Sequence, residues 1–417
     1  MLEKPVIGMQ VHFVGELIDE GIEKSLDTMQ QIGGINTIFM LVNMDRMDSN
    51  FWGKLTHNPN PKRKNLSISG FFYEPHIKYY AKTKIKPVKT KDPTLHGIDI
   101  IQKTLESAKR RDMKFYVMIL HHFPFSENEQ DCFIVDIQGR RMPGVFCINN
   151  PNVRDLYHGM VEDLLRNYDL DGIFLGLLDH CVQFGFRTLT DEMVELAKKK
   201  ELDRPEMGLT CFCQHCVQLA KKKGIDIEII KKGLQRAISQ RLIPEKVEKL
   251  TTTGDAMQFL LRVPEYFQWL TFKAQRCSDV HHEIYELAKS IKPDIQVALD
   301  IHGPEDSWKF GSDFHSLSQF SDWTKPMFYS GTYPAPPSSP EEVYEQTKKA
   351  LRETDGKTDI VAGVDAVSQS PNRIKQSVTQ AIKAGSRGII VSWDYALICL
   401  ENMKAAKVAL RESQNSA

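Results

Sequence analysis

Gly388-Ile-Ile-Val-Ser-Trp-Asp394 is a short, almost unbroken apolar run that ends on a tryptophan and a carboxylate. A run of this kind suits a parallel strand buried on both faces, with polar chemistry at its carboxyl end. Seven earlier stretches have the same character: Val6–Phe13, Thr37–Val42, Phe115–His121, Gly172–Leu178, Gln296–Asp300, Pro326–Tyr329 and Ile360–Asp365. Amphipathic segments such as Gly97–Arg110, Val153–Asn167, Cys277–Ile291, Pro340–Arg352 and Asn372–Ala384 lie between them. Eight strand-then-helix units predict an α/β fold, a (β/α)8 barrel spanning residues 1–417 as one domain. A doubly wound open sheet is the alternative, but its Gly-rich phosphate turn after the first strand is missing from the sequence.

Two connections are too long for simple strand-to-helix loops. One runs over 43–95; the other, over 180–292, is predicted to be a helical insertion after strand four. Both follow strands, so both are expected at the C-terminal face, where barrel enzymes build their sites.

Composition narrows the partners. The chain has 417 residues, 41% hydrophobic and 26% charged, with 54 basic and 54 acidic side chains. A formal net charge of zero carries no footprint for nucleic acid, and Lys62-Arg-Lys64 reads as a solvated loop. No run of about 18 apolar residues predicts a membrane helix. The opening Met-Leu-Glu-Lys-Pro-Val-Ile-Gly lacks a basic and apolar leader, from which a reducing, cytoplasmic location is expected. Homo-oligomerisation is compatible with this pattern.

Polar residues at the strand ends should converge on one pocket. In order they are His12, Asn43 and Asp45, His121 and His122, Asp179 and His180, Asp300 and His302, Tyr329, Asp365, Trp393 and Asp394. His121 and His122 straddle the alternation of a strand, so only one of them can face the axis. Carboxylates, imidazoles and aromatic rings together suit sugars. A carboxylate pair can cleave a glycosidic bond with retention at a separation of about 5–5.5 Å, or with inversion at about 6.5–9.5 Å. Three nearby candidates have plainer readings: Asp171 as a turn residue, Asp313 as a helix N-cap, and His281-His282 as packing or surface.

Cys211-Phe-Cys-Gln-His-Cys216 places three thiols at a spacing that favours convergence on one ion. Thiolates suit zinc, and a closed four-ligand site would be structural. Cys147, Cys181 and His215 are candidates for the fourth ligand, with a cysteine from outside the hexapeptide preferred. A metal-free reduced cluster, a redox pair and a catalytic zinc are the competing readings. No organic cofactor is expected.

Several phrases together resemble a group of (β/α)8 glycoside hydrolase-like proteins of the TIM-barrel type. They are Phe146-Cys-Ile-Asn-Asn-Pro151, Tyr168-Asp-Leu-Asp-Gly-Ile173, the cysteine hexapeptide with Lys223-Gly-Ile-Asp226, Ala298-Leu-Asp300 with Gly303-Pro304, Asp322-Trp-Thr-Lys-Pro-Met327, and Ile390-Val-Ser-Trp-Asp394. More distantly, the chain is similar to the β-galactosidase family whose barrel carries a zinc-binding Cys-x-Cys-x2-Cys cluster after strand four. That resemblance implies an acid/base after strand four and a nucleophile ending strand seven. Here strand seven ends on Asp365, where related sequences carry Glu; strand four has no Asn-Glu pair, and Gly176 stands where similar strands often carry Asp.

The expectation is therefore a glycosidase acting on a small glycoside or oligosaccharide. Asp365 would be nucleophile or base, and Asp179 or Asp300 the proton donor. His12, Asn43, His122, His302, Tyr329, Trp393 and Asp394 would bind the sugar, and Cys211, Cys213 and Cys216 would hold structural Zn2+. A metal-assisted sugar lyase or isomerase built on His12, His122 and Asp300, and a catalytically silent carbohydrate-binding barrel, are the alternatives.

Overall fold

The computed structural model describes residues 2, 4–44, 57–58, 68–121, 127–178, 211–239, 253–329 and 338–415. Eight parallel strands close into a barrel: β1 (Val6–Val11), β2 (Thr37–Leu41), β3 (Lys114–Leu120), β4 (Gly172–Gly176), β5 (Gln296–His302), β6 (Trp323–Met327), β7 (Ala362–Asp365) and β8 (Gly388–Ser392). A two-residue strand, Asp359–Ile360, pairs with the start of β6 and leads into β7. Closure is made by β8 on β1, in register from Val6 opposite Gly388 to Met9 opposite Val391. Closure leaves no strand edge unpaired in the ring, which is why such apolar strands need no charged gatekeepers. The barrel architecture follows the expectation.

The helices begin where the sequence supplies caps. Asn150-Pro151, Ser339-Pro340 and Ser370-Pro371 each place a polar acceptor at the N-cap and a proline at the first helical position. Their side chains accept the N–H groups of Asn152, Glu342 and Arg373 respectively. Among the described residues no helix is long and apolar enough to cross a membrane.

The strand expected over Pro326–Tyr329 in fact runs over Trp323–Met327. Lys325 breaks the apolar pattern, so periodicity alone places the strand after it. The barrel tolerates the lysine because its register partner on β5 is Asp300.

Side chains two residues apart on a strand share a face, so the barrel interior is layered. Trp323 packs against Phe39, Tyr116 and Phe174, with ring centroids 5.6, 5.8 and 5.6 Å away. One step further along the strands the interior turns polar: Gln10, Asp300 and Lys325 are all buried there. Gly363 on β7 makes room for the lysine stem, since a Cβ at that position would stand 2.3 Å from Lys325 Cε and 3.0 Å from the Pro326 carbonyl oxygen. Gly363→Ala is expected to cost about 1–3 kcal/mol through overpacking, measured by chemical denaturation; an unchanged midpoint would show that the stem can move aside.

A second, smaller core lies beside the barrel. It joins a hairpin that follows β3 (Phe133–Val135 paired with Arg141–Phe146), the helices Gln214–Lys222 and Ile227–Ser239, and the start of the long helix Glu265–Ile291. Phe212 stacks on Trp269 at 4.9 Å, and Trp269 stacks on Phe272 at 5.0 Å.

Candidate active site and cysteine cluster

The polar layer is a connected network at the carboxyl ends of the strands. Lys325 Nζ donates to Asp300 Oδ1 at 2.7 Å and to the Tyr329 hydroxyl at 2.7 Å. Gln10 Nε2 donates to the other oxygen of Asp300 at 3.0 Å, and Ser392 Oγ donates to Gln10 Oε1 at 3.1 Å. Burial pushes the Lys325 ammonium below its ordinary pKa, opposed by the attraction of Asp300. Burial pushes the Tyr329 hydroxyl well above its ordinary value, with the charge of Asp300 adding to the effect. Both Asp300 oxygens thus act as acceptors inside the barrel. Gln10, Lys325 and Ser392 were absent from the strand-end inventory. The signal was legible: Lys325 stands two residues after Trp323, on the same face of its strand.

Asp365 ends β7 on the face it shares with Gly363. Its Oδ1 accepts the N–H groups of Val367 (2.9 Å) and Ser368 (3.2 Å), and its Oδ2 accepts the Ser368 hydroxyl at 2.5 Å. The turn after the strand therefore fixes the carboxylate, which is only 6% exposed. Asp365 is the register partner of Ser392, the residue before Trp393, and its charge adds to the upward push on the Tyr329 hydroxyl. Trp393 stacks on Tyr329 with centroids 6.2 Å apart and forms the aromatic part of this wall.

The remaining candidates divide. Asp394 accepts the N–H groups of His12, Phe13 and Ala396, and lies 3.3 Å from His12 Nδ1, so it staples β8 to β1 and holds His12. His302 is buried and stacks on Phe310 at 3.7 Å. Asn43 is fully buried, with its side-chain nitrogen 3.3 Å from the Leu120 carbonyl oxygen. His121 is turned into the protein, stacked on Tyr157 and bonded to the Tyr157 hydroxyl and the Phe146 carbonyl. Asp45, His122, Asp179, Cys181 and His180 lie outside the described residues. Asp171 accepts the Phe115 N–H and pairs with Lys114, and Asp313 caps the turn Phe314–Leu317, as their plainer readings expected. Among the described residues, His12 and Asp300 do not belong to a metal-capable group.

The cysteine cluster gains its fourth member from the other side of the small core. Cys147, Cys211, Cys213 and Cys216 are all buried, with sulfurs within 4.8 Å of one another. Cys147 Sγ lies 3.4 Å from Cys216 Sγ and 3.6 Å from Cys213 Sγ. Four thiolates at ~2.3 Å from a tetrahedral zinc stand ~3.8 Å apart, so the spacing fits that ion. Supporting donors are in place: the Val135 N–H points at Cys211 Sγ (3.4 Å) and Asn149 Nδ2 at Cys216 Sγ (3.3 Å). The phrase Phe146-Cys-Ile-Asn-Asn-Pro151 is thereby explained. Cys147 joins the cluster, Asn149 supports it, and Asn150 with Pro151 starts the next helix. His215 is not part of the four-sulfur group.

No family model matches the sequence, and no curated protein matches it either. Solved structures do. The catalytic domain of β-amylase from Paenibacillus polymyxa is 11% identical with a TM-score of 0.54, covering 99% of this chain and 98% of that one. The β-galactosidase from Rahnella sp. R3 is 11% identical with a TM-score of 0.58, covering 99% of this chain and 56% of that one. A GH42 β-galactosidase from G. stearothermophilus is 11% identical with a TM-score of 0.56, covering 100% of this chain and 57% of that one. The chain thus spans little more than half the length of these β-galactosidases. What is shared is the fold, a (β/α)8 barrel of the type found in glycoside hydrolases.

Proposed function

We propose that this barrel is a glycoside hydrolase acting on a small glycoside or oligosaccharide, with Asp365 as nucleophile or base. The observation that carries this reading is the Asp365 carboxylate itself, ending β7 on the barrel's inner face and locked by three donors beside Tyr329 and Trp393. Asp300 is held by Lys325 and Gln10 as an acceptor on both oxygens and has no proton to give. It is assigned to positioning Lys325 and Tyr329, which leaves Asp179 as the proton donor. Trp393 and Tyr329 offer aromatic faces to a sugar ring, and His12, His122, His302 and Asn43 are assigned to its hydroxyls; Asp394 serves by holding His12. The four-cysteine group is assigned to structural Zn2+, which would order the small core beside the barrel.

The test is hydrolysis of a panel of aryl glycosides and natural oligosaccharides by wild type and Asp365→Asn. The expected result is turnover by wild type and a loss of ~10²–10⁴-fold or more in the variant. Full activity in Asp365→Asn would remove that residue from the mechanism. Gly176 favours a second reading, a barrel that binds carbohydrate without cleaving it: β4 offers no side chain at its end, and the Leu120 Cδ2 methyl fills the space 2.3 Å from where a Cβ would stand. Calorimetric sugar binding by wild type with no turnover across the panel would establish that reading instead.

A further inference from the structure

A cluster near the barrel rim is used by none of the chemistry above. Glu16 and Glu20 are one turn apart on the short helix Val14–Glu20, which follows β1, so they share a face. His57 reaches them from the long connection after β2. Glu16 is fully buried, and the side chains of Glu20 and His57 are 6% and 1% exposed. One ligand atom from each of the three lies within 4.8 Å of the others.

The hydrogen bonds leave this cluster short of positive charge. His57 Nδ1 is 3.0 Å from the Ile398 carbonyl oxygen, an acceptor, so Nδ1 carries the proton. In the neutral ring Nε2 then presents its lone pair toward Glu20 Oε2, 3.5 Å away, and it has no hydrogen-bond partner among the described residues. Two acceptors facing each other in a buried site repel unless a proton or a metal cation stands between them. Glu16 repeats the pattern: Oε1 takes the Asn58 amide at 2.9 Å, while the buried Oε2 has no partner among the described residues. Glu20 is oriented by the Tyr395 hydroxyl, which donates to Oε2 at 2.6 Å. Among the described residues the one lysine paired with it, Lys24, is 72% exposed and approaches the other oxygen, Oε1, at 3.5 Å. A carbonyl holding the far nitrogen of a histidine, and a hydroxyl holding a carboxylate, are the supports that metal ligands use.

We propose that Glu16, Glu20 and His57 form a second metal site, built for a first-row divalent cation such as Mn2+. Two carboxylates and one imidazole make a harder donor set than the four thiols, so the two sites select different ions. The bound ion would join the connection after β2 to the segments that follow β1 and β8, since Ile398 and Tyr395 belong to the last of these.

Titrating zinc-loaded full-length protein with Mn2+, with free Mn2+ followed by electron paramagnetic resonance, tests the proposal. One Mn2+ per chain is expected, bound at least tenfold more weakly in Glu20→Gln and in His57→Gln, with a nitrogen coupling to the ion in wild type that His57→Gln abolishes. Thermal melting should rise with Mn2+ in wild type only. No binding by wild type at millimolar Mn2+ would overturn the site in favour of a protonated His57 bridging the two glutamates. Binding that is equally tight in both variants, or that lacks the nitrogen coupling, would also overturn it. The wild-type titration decides the matter even if a variant fails to fold.

Discussion

Cys147→Ser is expected to release the metal assigned to the four-cysteine group and to loosen the small core beside the barrel. Three sulfurs cannot close a tetrahedral zinc site, and the serine oxygen is a far poorer ligand for it. Structural zinc contributes an apparent ~10–16 kcal/mol of binding in zinc-finger peptides, where metal and fold are inseparable. Here the Phe212–Trp269–Phe272 stack supports the same region, so part of it should survive. The measured result should be a zinc content falling from one per chain to near zero, with an early melting transition of the small core that wild type shows only after chelation. Cys399→Ser, outside the group, should change neither reading. If Cys147→Ser kept its zinc and melted like wild type, the structural assignment would fail. Because the group lies beside the barrel, activity should fall less than zinc content does.

Lys325→Ala should destabilise the protein by about 3–5 kcal/mol, because it strands a buried carboxylate. Lys325 is fully buried and Asp300 is 3% exposed, so solvent cannot replace the lost partner. Gln10 would still donate to one Asp300 oxygen, but a neutral amide does not balance the charge. Burial also keeps salt from screening the pair, so the deficit should persist at high ionic strength. Lys325→Met combined with Asp300→Leu should recover much of the loss, since removing both charges avoids the unpaired one. Chemical denaturation of the two single variants and the double variant checks this. A Lys325→Ala cost below ~1 kcal/mol would mean that the pair contributes no more than an exposed salt bridge.

Most of the strand ladder was legible because each strand advertises itself locally: an apolar run a few residues long, followed by a polar end. β6 was misplaced by three residues for the same reason. A lysine in mid-strand contradicts the local pattern, and only the neighbouring Asp300 makes it acceptable. The strand-end inventory found Asp365, Tyr329 and Trp393, which the structure gathers into one wall. It could not separate groups facing an open pocket from groups already engaged. Asp394 proves to be a staple for the His12 backbone, and His121 a satisfied histidine against Tyr157. That distinction depends on which N–H groups lie within 3 Å or so, and spacing along the chain does not encode it.

The sequence by itself determined the barrel, the helical segments over Val153–Asn167, Pro340–Arg352 and Asn372–Ala384, and three of the four clustered sulfurs, because periodicity and short motifs act over a few residues. Only the tertiary structure decided the rest. Cys147 comes to Cys216 from 69 residues away, Lys325 to Asp300 from 25, and Gln10 to Asp300 from 290. The two meetings at Asp300 are set by the register of a closed ring of strands, where each partner is chosen by the whole barrel and not by its own neighbours in the chain; the meeting of Cys147 with Cys216 is set by the packing of the small core beside it.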